Sequence, residues 1–155
     1  MNTAKKFFSS RSVSSYLLLA SFVLGLVGFI LYLVNDNSGY LAGRGIDPLG
    51  TTFFVLYLVC SLGIFFFEDK LNQFSLLLKL ITLGFLVAAF CLFCYERKTV
   101  VADIYFIPVN YPDSEKACMN ATFVNLLFDL LSFIAFDVSL FLSDKKGEGK
   151  ALEAK

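Results

Sequence analysis

Histidine and tryptophan are absent from this chain, proline occurs three times, and charged residues make up only 17% of it. Without histidine the most frequent general base and the most frequent metal ligand are missing. No cysteine or carboxylate set stands at metal-ligand spacing either, so no catalytic residue, metal or cofactor is assigned and the chain is read as non-enzymatic. Basic and acidic residues balance at 13 each, for a formal net charge of zero. No global field then favours nucleic acid, and no basic stripe with interleaved aromatics is present. Nucleic acid is therefore not an expected partner.

What the chain has in excess is apolar surface: 57% of it is hydrophobic, with 19 phenylalanines and 7 tyrosines. That is too much for an ordinary soluble domain and implies an integral membrane protein whose first partner is the lipid bilayer. Four runs, 16–34, 51–67, 74–95 and 121–142, approach the roughly 20 apolar residues that a spanning helix needs. The expected fold class is all-α, an up-and-down bundle of four transmembrane helices. Residues 1–15 form a basic N-terminus, and the run after it exceeds the roughly 7 to 15 residues of a signal core and lacks a small-x-small cleavage site, so it reads as a retained span.

Residues 35–50 hold four glycines and a proline and read as a compact outer loop. Arg44 between two glycines matches no phosphate-loop spacing. The second outer loop, 96–120, is the longest connection; its VVADIYFIPV stretch is too short to span and too apolar to float freely. Ile104, Tyr105, Phe106, Ile107, Pro108, Tyr111 and Pro112 form a candidate docking edge within it. Residues 143–155, SDKKGEGKALEAK, read as a disordered cytoplasmic tail. Nine basic residues on the terminal side oppose four on the loop side. The charge rule then places both termini inside, N-in and C-in, in a plasma membrane.

Polar residues inside the runs must be answered by other groups, because a carboxylate at a helix centre costs roughly 2.5 to 3.5 kcal/mol even on the gentler insertion scale. On the fourth run Asn125, Asp129, Ser132 and Ser139 share one face, with Asp137 to one side. Tyr57 and Ser61 on the second run reach similar depths and are the expected partners of Asp129. Lys79 on the third run matches the depth of Asp137, although it points away from a small-residue face at Gly84 and Ala88. Ser21, Gly25 and Gly28 give the first run a strip along which another backbone can approach closely.

Cys94 and Cys118 both fall near the outer interface, where a disulfide would close the long loop. The CLFC pair, Cys91 and Cys94, in a four-span bundle resembles the membrane thiol oxidoreductases that form disulfides and reduce quinone. Here, however, CLFC ends a helix instead of opening one, and a second outer cysteine pair is lacking. The leading expectation is a non-enzymatic subunit or scaffold that docks another membrane or extracytoplasmic protein through its outer loop and acidic fourth helix. The alternative is a small homo-oligomeric, proton- or cation-coupled transporter or channel using Asp129; the thiol oxidoreductase is the remote third.

Overall fold

The computed structural model describes residues 11–38, 46–71, 74–106 and 113–153, the side chains of 68–70, 113–114 and 143–153 excepted. Among the described residues Ser12 starts the first helix, α1 (Val13–Asp36), by accepting from the Ser15 N–H at 3.3 Å. Asp47 starts α2 (Pro48–Leu71), its two carboxylate oxygens accepting from the N–H groups of Leu49 at 3.1 Å and Gly50 at 2.6 Å. Proline at the next position suits a helix start because its missing N–H would have no intrahelical partner there. Two residues separate α2 from α3 (Phe74–Phe106), and α4 (Asp113–Glu153) is the last helix among the described residues. All four contain segments long and apolar enough to cross a membrane, and no strand occurs among the described residues.

α3 and α4 are longer than the sequence suggests, absorbing both flanks of the expected 96–120 loop. The stretch after Tyr95 reads in the sequence as the start of an outer loop, but Phe93, Arg97, Val100 and Ile104 continue one buried helical stripe. Val100 and Ile104 pack on Met119 of α4 in a small separate core, and such packing overrides weak local preference. The described part of α3 ends at Phe106. At the other end the α4 backbone continues as helix to Glu153, through most of the tail expected to be disordered.

The helices form a ring. α1 packs most extensively on α4 and α2 on α3, while slimmer α1–α2 and α3–α4 contacts close the circle. α1 lies antiparallel to α4, so the start of α1 and the far end of α4 share one end of the bundle, here the terminal end; the other is the distal end. The main core joins Leu18, Phe54, Tyr57, Leu58, Ile64, Leu86, Ala89, Phe136 and Leu140. Above it Tyr32 lies among Phe29, Phe54 and Phe93, with ring centroids 5.3 to 6.4 Å away.

Candidate functional site

Small and polar residues recur every seven positions on the two facing helices: Ser14, Ser21, Gly28 and Asn35 on α1, and Cys118, Asn125, Ser132 and Ser139 on α4. That interval holds one seam in register between two helices. Ser14 meets Ser139, Ser21 meets Ser132, Gly28 meets Asn125, and Asn35 meets Cys118. The α4 strip was legible in the sequence; its α1 counterpart read only as a packing strip.

Each rung is bonded. Ser14 Oγ donates to the Ser139 carbonyl at 2.8 Å. Ser21 Oγ donates to the Ser132 carbonyl at 2.7 Å and Ser132 Oγ donates back to the Ser21 carbonyl at 2.8 Å. Tyr57 reaches in from α2 to within 2.7 Å of Ser21 Oγ and 2.9 Å of Ser132 Oγ. A hydroxyl has one proton, and both serine protons are committed to carbonyls, so Tyr57 is the donor in this group. In the amide orientation that satisfies both its ends, Asn125 donates to the Gly28 carbonyl at 2.8 Å and accepts from the Tyr32 N–H at 3.1 Å. Distally, Asn35 donates to Thr122 Oγ1, and Cys118 Sγ donates to Asn35 Oδ1 at 2.9 Å.

Asp129 sits between the Asn125 and Ser132 rungs. It is 0% exposed, and neither carboxyl oxygen has a hydrogen-bond partner among the described residues. A Cβ at Gly28 would collide with Asp129 Oδ1, so the carboxyl occupies the space that a side chain at position 28 would need. Its expected partners are engaged elsewhere. Tyr57 serves the Ser21–Ser132 pair, and Ser61 Oγ donates back to the Leu58 carbonyl of its own helix at 3.1 Å. The Tyr57 hydroxyl meets Ser132, one rung away from Asp129.

Lys79 is fully buried, while Gly84 faces outward, where an added Cβ would meet no atom within 4 Å. The contact face of α3 is therefore Lys79, Thr82, Leu86, Ala89 and Phe93, not the Gly84 and Ala88 face. Asp137 is half-buried, and among the described residues it forms no ion pair with Lys79. All four cysteines are free. The Cys94–Cys118 bridge is not formed, because Cys118 turns to Asn35 and Ser38 instead.

A pair that the sequence did not suggest closes the distal end: Arg97 of α3 donates to Asp36 of α1, both nearly buried, with the guanidinium 5.0 Å above the Phe93 ring. In the sequence Asp36 falls in the 35–50 loop and Arg97 in the 96–120 loop; the i, i+4 spacing of Phe93 and Arg97 is the signal that places the arginine on a helix. Of the candidate docking residues, Ile104 is buried against Val100 and Met119, whereas Tyr105 and Phe106 face outward. Ile107, Pro108, Tyr111 and Pro112 lie outside the described residues. Comparison of the chain with family models, curated proteins and solved structures returns no match.

Proposed function

We propose that this protein is a non-enzymatic integral membrane subunit or scaffold, with both termini in the cytoplasm, whose distal α3–α4 hairpin docks another membrane or extracytoplasmic protein. The hairpin carries this reading. Past the apolar runs, α3 continues over 96–106 and α4 begins at Asp113, ahead of 121, so the two project distally by about 16 and 12 Å at the usual helical rise. There they are joined by their own small core of Val100, Ile104 and Met119, and Phe106, the last described residue of α3, is 81% exposed. An aromatic side chain left open on a stiff support suits an anchor for a partner's pocket. Asp129 faces the bundle interior, so the docking role rests on the hairpin rather than on the acid of the fourth helix.

A photo-crosslinker at position 106, compared with one at the outward-facing Val59 of mid-α2, tests this in intact membranes. The scaffold reading expects one discrete foreign polypeptide attached at 106 and lipid at 59. If the adduct at 106 is only a second copy of this chain, a homo-oligomeric assembly replaces it. A reporter fused after Lys155 checks the orientation: it must be accessible from the cytosol.

A further inference from the structure

Asp129 takes no part in a distal dock, yet it is the most demanding group in the bundle. Its carboxyl is fully enclosed, lacks a protein donor among the described residues, and is pressed against the backbone of Gly28. The groups around it come from every helix. α1 contributes Gly28 and, one turn on, Tyr32; α2 contributes Tyr57, whose proton serves the two serines; α3 contributes Cys94; and Asn125, one turn away on α4, spends its amide on the α1 backbone. None of these is a cation. A metal cation would need several oxygen ligands and room for them. A proton needs neither.

We infer that Asp129 is a proton-binding site, occupied while α1 and α4 are closed over it, and that release of the proton opens the middle of the seam. On release the O–H bond breaks, its electron pair stays on the carboxylate, and the proton passes to water entering between the helices. A bare carboxylate must be hydrated or hydrogen-bonded to be tolerated. In the closed form the carboxyl is shut off from solvent, so Gly25–Tyr32 and the stretch from Asn125 to Leu131 must part. The Ser21–Tyr57–Ser132 group on one side and the Asn35–Thr122–Cys118 group on the other confine the opening to this stretch.

The full chain in phosphatidylcholine nanodiscs tests this by infrared difference spectroscopy and amide hydrogen exchange. Wild type is expected to show the carbonyl stretch of a neutral carboxylic acid that Asp129→Asn lacks. Raising the pH should abolish that band and, over the same range, speed exchange across Gly25–Tyr32 by roughly tenfold or more; in Asp129→Asn exchange should stay flat. A carboxylate signal in the closed wild type, or exchange that ignores loss of the acid band, overturns the inference. So does displacement of the band by sodium or lithium at constant pH, which would make this a cation site. Should Asp129→Asn not fold, the wild-type titration decides alone.

Discussion

Arg97 reaches Asp36 along a diagonal of the bundle on which α1 and α3 share no backbone packing. Tyr57 crosses the other diagonal, from α2 to Ser132 of α4, nearer the terminal end. Neighbouring helices are held by backbone proximity, but opposite ones meet through long side chains: Arg97–Asp36 and the Tyr32–Phe93 rings on one diagonal, Tyr57 with Ser132 and the Phe136 ring on the other. These contacts set how the α1–α4 pair is rotated against the α2–α3 pair.

The Arg97–Asp36 pair is buried at both ends, 6% and 2% exposed, so removing one member strands a charge in a poorly solvated place. Arg97→Ala or Asp36→Ala alone should destabilise the bundle by about 3 to 5 kcal/mol, whereas the double change Arg97→Met with Asp36→Leu should cost much less. Unfolding midpoints in detergent provide the measurement. Equal losses in the single and double variants would mean that the pair is not a coupled unit.

Gly25 and Gly84 make a matched contrast. A Cβ at Gly25 would lie 2.6 Å from the Tyr57 ring and 3.1 Å from Ser132 Oγ, whereas one at Gly84 meets nothing within 4 Å. Gly25→Ala should therefore cost about 1 to 3 kcal/mol through overpacking of the seam. Gly84→Ala should be neutral or gain up to about 1 kcal/mol from helix propensity. The same unfolding assay ranks them, and the reverse order would displace the α1–α4 seam.

Tyr57→Phe should be mild. It removes one shared donor but leaves both serine-to-carbonyl bonds intact, so the expected loss is about 0.5 to 1.5 kcal/mol. Ser132→Ala should cost more, because it removes the bond to the Ser21 carbonyl and an acceptor of Tyr57 together. A larger loss for Tyr57→Phe would reassign the donor in that group.

The thiols give a chemical check. With Cys118 bonded to Asn35 and all four cysteines free, denaturation without reductant followed by alkylation should label all four. A mass two alkyl groups short, with the missing labels on Cys94 and Cys118, would restore the disulfide. Cys118→Ser should keep the contact to Asn35, so its unfolding midpoint should lie closer to wild type than that of Cys118→Ala.

Much of the seam on α4 was legible, because Asn125, Asp129, Ser132 and Ser139 fall on one face of any helix, whatever surrounds it. The extension of α3 was not, since the β-branched residues near Val100 favour extended chain locally and become helical by packing on Met119. Lys79 illustrates the same limit. Periodicity separated it from Gly84 but could not say which of the two faced inward, and the lysine is the buried one.

The sequence by itself determined the number and type of the long apolar elements: four such runs divided by turn-forming segments become the four long helices of the described residues, because run length and hydrophobicity are properties of each segment alone. Only the tertiary structure decided that the first and last helices share a seam, that Tyr57 serves Ser132 rather than Asp129, and that Arg97 finds Asp36. Those outcomes depend on the rotation and register of one helix against another. That setting is fixed where small residues such as Gly25 and Gly28 let backbones meet, across more than a hundred positions of chain.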